Sequence, residues 1–192
     1  MNNKQFIASL IISLPLLCFN VFAETATETP EAKGLAIAVE ANKRDNGFSD
    51  STANMTMELR NKQGDTSVRH IRIKTLEVEG DGDKSMSIFD KPADVKGTAF
   101  LTFSHAIKAD EQWMYLPSIK RVKRINSKNK SGPFMGSEFA FEDIASQEVE
   151  KYTYKYIRDE QIKTREFPNG VDCFVVERYP AYEHSGYTRQ LA

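Results

Sequence analysis

The sequence predicts a mainly β domain, an antiparallel sheet curling toward a barrel, entered through one helix. Three observations predict it. Short segments of period-two alternation recur between turn signals from Thr52 onward, and a single stretch near the start has helical periodicity instead. The length also suits one domain with a real core.

The first residues read as an export signal. Lys4 precedes an apolar run from Phe6 to Phe19, and Val21-Phe22-Ala23 supplies small or modest side chains before a cut, so residues 1–23 are expected to be a signal peptide cleaved after Ala23. The run is shorter than the ~20 apolar residues of a spanning helix. Cys18 follows Leu17, where a lipid-modified cysteine requires a small residue, and is read as part of the discarded segment. Residues 24–29 form a polar tail, and 30–192 the domain. Export takes Lys4 from the 26 basic residues and leaves 25 against 27 acidic ones, a formal charge of about −2 without global attraction to nucleic acid or membrane. Cys173 is then the one cysteine left, so packing rather than disulfides must hold the fold. In its apolar strand it is expected to be a buried, inert thiol.

Thr29-Pro30 is a helix start, a capping oxygen followed by proline in the first turn, and Asp45-Asn46-Gly47 is the stop. Ala32, Leu35, Ala36 and Val39 make one apolar stripe, expected to pack on a sheet or to serve as a movable lid. Met55, Met57 and Leu59 alternate with polar residues in the first strand. Asn61 to Gly64 turns the chain, and Ile71 and Ile73 alternate in the second, completing a hairpin. After Gly80 to Asp83 comes a strand with Met86 and Ile88, then one from Thr98 to Ser104 with Ala99, Leu101 and Phe103 on one face and Phe100 on the other. Further on, Tyr152, Tyr154 and Tyr156 alternate in one strand, and Val171, Cys173 and Val175 oppose Phe174 and Val176 in another.

The segment Glu111 to Asp143 is the centre of the chain. Trp113, Met114, Tyr115 and Leu116 make a strand apolar on both faces. Lys120, Arg121, Lys123, Arg124, Lys128 and Lys130 follow with no acid among them, and Phe134, Met135, Phe139 and Phe141 come after Ser131-Gly132-Pro133. The basic run reads as a solvated edge or as a docking patch, through Lys120, Arg121, Lys123 and Arg124, for anionic headgroups or an acidic membrane partner. Several strands are apolar on both faces while one helix is available to cover them. An apolar ligand or the aromatic loop must cover the rest, and the methionines suit a surface that accepts variable shapes.

The run Trp113-Met114-Tyr115-Leu116-Pro117 through Lys120-Arg121-Val122-Lys123-Arg124-Ile125 to Gly136-Ser137-Glu138-Phe139 and Phe141-Glu142-Asp143-Ile144 resembles the signature of LolA-like outer membrane lipoprotein-sorting proteins. The resemblance covers the chain from about Ala32 onward. It implies a periplasmic, non-enzymatic carrier with a half-open β-barrel whose concave face shelters lipoprotein acyl chains or lipid, with an inner-membrane transporter and transient membrane contact as partners. A LolA-fold envelope sensor that binds lipid or peptide signals is the alternative. Family members continue through more strands where Gly186 to Ala192 begins one, so the domain is expected to lack its last strands.

The expected cavity wall is Met55, Met57, Leu101, Phe103, Trp113 and Tyr115, gated by Phe134, Met135, Phe139 and Phe141. No enzyme, cofactor, metal or nucleic acid is expected. His70, His105 and His184 lack metal spacing, no Gly-x-Ser-x-Gly elbow occurs, and Glu138, Glu142 and Asp143 suit a polar rim better than an acid–base pair.

Overall fold

The computed structural model describes residues 28–192. The signal peptide expected over 1–23, and the tail up to residue 27, lie outside the described residues. Helix α1 runs Pro30–Asp45 and starts as its sequence dictates: Thr29 Oγ1 accepts the Ala32 N–H at 3.1 Å, with proline in the first turn and Lys43 and Arg44 in the last.

Nine strands follow. β1 (Asp50–Arg60), β2 (Thr66–Leu76), β3 (Lys84–Lys91), β4 (Ala99–Phe103), β5 (Glu111–Leu116) and β6 (Arg121–Ile125) form one antiparallel sheet in sequence order. β7 (Tyr152–Ile162), β8 (Val171–Pro180) and β9 (Gln190–Leu191) form a second. The six-stranded sheet curves without closing, which leaves β1 and β6 as its edges and gives the incomplete barrel. A β-bulge lies opposite His70 and Ile71, where the β2–β3 register shifts.

Pairing assigns the two faces of the six-stranded sheet, because directly opposed residues in antiparallel strands point to the same side. Met55, Ile71 and Phe89 align across β1–β3, and Ser87, Phe100 and Met114 across β3–β5, on the inner face. Met86, Leu101, Trp113 and Arg124 align on the outer face. The core sits on the inner side, where Met57, Ile71, Phe89, Phe100 and Phe134 cluster.

The helix departs from expectation. Its stripe of Ala32, Leu35, Ala36 and Val39 faces solvent, with Leu35 46% and Val39 50% exposed, and the buried residue is Gly34. α1 packs on β7 of the second sheet. A Cβ at position 34 would lie 2.7 Å from the Tyr156 nitrogen, so the missing side chain lets the helix backbone reach the strand backbone. Ile37 and Ala38, one turn on, are half-buried beside it, and Lys33 Nζ lies 3.5 Å above the Tyr156 ring. Close backbone approach wins over the larger side chains of the other stripe. Cys173 is a free, half-buried thiol on β8 rather than a fully buried one.

Candidate ligand cavity

The segment between β6 and β7 crosses the inner face of the six-stranded sheet and supplies the cover that the strands require. Phe134 is 1% exposed, with ring centroids 6.1 Å from Phe89, 5.1 Å from Phe100 and 5.7 Å from Phe141, while Phe141 also meets Phe100 at 5.5 Å. Edge-to-face and tilted pairs of this kind add to the area they bury. The loop is pinned at several points. Pro133 and Ala140 bridge, the Phe134 N–H donates to Phe139 O at 2.6 Å, Ser137 Oγ donates to Phe134 O, and the Ala140 N–H donates to Asp143. From the sheet, Gln112 Nε2 donates to Phe141 O at 2.9 Å and Arg69 donates to Met135 O at 2.5 Å. Met135 and Gly136, with φ of 52° and 74°, make the tight turn at its tip.

Beside this plug lies a cavity of about 940 Å³, walled by Phe48, Met55, Met57, Ile73, Phe134, Phe139 and Ile144, with Ser85, Ser87 and Ser104 on its strand side. The volume is at the upper end of the ~300–1,000 Å³ of ligand pockets. A second space, of about 590 Å³, lies between α1 and the second sheet, walled by Ile37, Ala38, Tyr154, Phe174 and Val176. Arg44 and Asp45, at the end of α1, line both.

The mouth near the β2–β3 turn is acidic. Asp45, Glu77, Glu79, Asp81, Asp83, Glu148 and Glu150 line a space there without a lysine, arginine or histidine among its lining residues. Partial burial, with Glu77 and Asp45 nearby, raises the Asp83 carboxyl. Glu77 is held low by the N–H groups of Gly47 and Ser49.

Asp81 shares a 2.7 Å hydrogen bond with His105 Nδ1 and accepts the Ala106 N–H, which ties the β2–β3 turn to the β4–β5 loop. His105 Nε2 is buried without a hydrogen-bond partner, 3.8 Å from Glu111. The His105 hydrogen bond, followed by the Ala106 and Gly82 N–H groups, holds Asp81 far below the usual carboxylate range. A carboxyl with a depressed folded pKa stabilises the fold above its unfolded value, here 3.8, and that stability is lost as the pH falls through the folded pKa. Asp81→Asn is therefore expected to lower the denaturation midpoint at neutral pH, with the gap from the parent narrowing steadily below about pH 4 in an acid titration followed by circular dichroism.

Behind the plug, Glu142 is 7% exposed and accepts from Tyr182 OH and Ser185 Oγ, each at 2.9 Å, and from the Gly186 N–H at 2.7 Å. Tyr187 OH donates to Asp143 at 2.8 Å, and this bond is the main reason its pKa is pushed up to about 12. Burial pushes Tyr152 and Tyr182 up as well. The arrangement is a latch between the aromatic loop and residues 182–187. Glu142 and Asp143 thus anchor the loop from within. Among the described residues no cluster of three or more His, Cys, Asp or Glu side chains could hold a metal ion.

The residues singled out from sequence fall into three groups. Met55 and Met57 line the cavity; Leu101, Phe103, Trp113 and Tyr115 share the opposite, outer face, where Phe103 and Trp113 meet edge to face at 5.2 Å. Of the four loop residues, Phe134 and Phe141 are plugs, Met135 is half-buried, and Phe139, 53% exposed, stands at the cavity wall. Lys120, Arg121, Lys123 and Arg124 are all exposed on edge strand β6 or the turn before it. Sequence reading missed Phe48 and Ile73 as wall residues. Ile73 was recoverable from its alternation with Ile71, whereas Phe48, in the α1–β1 loop, carries no periodic signal.

A family model described as "Uncharacterized protein" matches residues 81–192. No curated protein matches. Among solved structures, an outer membrane lipoprotein-sorting protein domain from Vibrio parahaemolyticus is 57% identical over 83% of this chain, with a TM-score of 0.76, and this chain spans 65% of its length. A DUF1329 family protein from Desulfovibrio piger is 30% identical, with 85% of this chain and 67% of that one covered and a TM-score of 0.75. A LolA superfamily protein from Nitrosomonas europaea shares the fold, with a TM-score of 0.56 at 19% identity over 82% of this chain and 64% of its own. With its half-open sheet, aromatic plug and these likenesses, the chain has a LolA-like fold and belongs to the family that the DUF1329 protein represents.

Proposed function

We propose that this protein is a non-enzymatic periplasmic carrier whose cavity takes up the acyl chains of a lipoprotein or lipid, receiving them from an inner-membrane transporter. The observation that carries the reading is the cavity between β1–β3 and the aromatic loop, walled by Met55, Met57, Ile73, Phe134 and Phe139. Apolar burial supplies the affinity, at about 25 cal/mol per Å² removed from water, and flexible thioethers accept chains of different length. No protein donor is needed along such a chain, and the polar lining residues, among them Arg44, Asp83 and Asp143, suit its headgroup end. The lipoprotein-sorting relative supports this cargo class.

Phe139 would be the movable part of the wall. Phe139 is 53% exposed and its backbone is held at the loop's outer end, whereas Phe134 lies in the core with Phe141 half-buried against it. Phe139→Asp is expected to cut cargo retention by about ten-fold or more with the unfolding midpoint nearly unchanged, since it removes exposed apolar contact and adds a charge to an apolar wall. The test is native mass spectrometry with lipid extraction on protein purified from periplasm. A stoichiometric acylated species in the parent, depleted in the variant, supports the carrier. A ligand-free, fully folded parent would overturn it.

A further inference from the structure

We infer that the outer face of β3–β6 is a docking surface for an anionic phospholipid bilayer. The face is single-layered: α1 packs on the second sheet, the aromatic loop fills the inner side, and the outer side chains stay half-exposed, with Tyr115 37% and Val122 64% accessible. Register brings Leu101, Phe103, Trp113, Tyr115 and Val122 together on it.

Its charge identifies the occupant. Arg124 lies over the Trp113 ring at 5.9 Å and Lys84 over the Phe103 ring at 4.8 Å, so cations and aromatics interleave. The two acids on this face are already neutralised, Glu111 by Arg124 at 2.7 Å and Asp90 by Arg72 at 2.7 Å. Lys74 and Lys84 have no acidic partner among the described residues, and the turn before β6 adds the exposed Lys120. A protein partner of fixed shape would call for a concave or acid-matched surface. Interfacial tryptophan and tyrosine with surrounding lysine and arginine instead match the headgroup region of an anionic leaflet. Edge protection of β6 by its charges is served equally well, since like-charged edges resist strand pairing.

The surface is opposite the cavity, so the inference is independent of what the cavity holds. Trp113 is the protein's single tryptophan and reports on this face alone. The experiment mixes protein purified from periplasm with vesicles of phosphatidylcholine alone, or of phosphatidylcholine and phosphatidylglycerol in equal amounts, and follows sedimentation and Trp113 emission. Partition onto the anionic vesicles is expected to exceed that onto phosphatidylcholine by about ten-fold or more. Emission should shift to the blue and be quenched by brominated acyl chains, and the binding should be lost in about 1 M salt. The Lys74→Glu, Lys84→Glu, Lys120→Glu triple variant changes exposed side chains only, and should lose about ten-fold or more of the partition with cargo retention and thermal unfolding unchanged. Unaltered Trp113 emission, equal partition onto uncharged vesicles, or full binding by the triple variant would each overturn the inference.

Discussion

Phe134→Ala is expected to lower the unfolding free energy by about 3–5 kcal/mol, the cost of emptying a buried aromatic site that cannot collapse. The ring is 1% exposed and packs against Phe89, Phe100 and Phe141, on a sheet whose curvature is held by five strand pairings. A urea titration of ligand-free protein measures the loss. The same truncation enlarges the cavity, since Phe134 is one of its walls. Protein carrying an acyl cargo should accordingly recover part of the lost stability, because a ligand bound to the folded state alone raises it. A loss below about 1 kcal/mol would show that the loop is laid on the sheet and not packed into it.

The second large effect is at the latch. Glu142→Ala removes the acceptor for Tyr182, Ser185 and the Gly186 N–H at once. The hydroxyls can rotate toward other partners, whereas the backbone N–H cannot, and orphaned buried donors cost about 1–3 kcal/mol each. A total loss of about 2–4 kcal/mol is expected, with Glu142→Gln keeping one carbonyl acceptor and losing less. Hydrogen exchange at Gly186 should accelerate in Glu142→Ala before exchange in β3 or β4 does, because the latch joins residues 182–187 to the loop and not to the sheet. Uniform acceleration across the chain would instead make Glu142 part of the global core.

Much of the fold was legible because it is local. Alternation of Met55, Met57 and Leu59, and of Ile71 and Ile73, marked β1 and β2; Asn61 to Gly64 marked their hairpin; Thr29-Pro30 and Asn46 bounded α1 to within a residue. The helix face was misread because hydrophobic size favoured Leu35 and Val39, while contact was decided by Gly34, whose value lies in what it lacks. The cavity wall was legible for Met55 and Met57 only. Alternation says which residues of one strand share a face, but Leu101 and Met55 are related through two intervening strands and the bulge opposite His70 and Ile71.

By itself, the sequence determined β1–β5, β7 and β8, their turns, helix α1 and the need for a cover over the apolar faces, since each follows from periodicity and turn chemistry within a few residues, whereas the basic run of β6 carried no strand signal. It also determined the family likeness centred on Trp113 to Ile144. Only the tertiary structure decided that Phe134 is core and Phe141 packs half-buried against it while Phe139 remains at the wall, that Glu142 anchors residues 182–187, and that Trp113 faces away from the cavity. Those outcomes depend on strand register and on contacts spanning more than forty positions, such as Glu142 with Gly186. Such contacts are selected by which packing buries the most apolar surface without orphaning a polar group, a property of the assembled chain and of no segment within it.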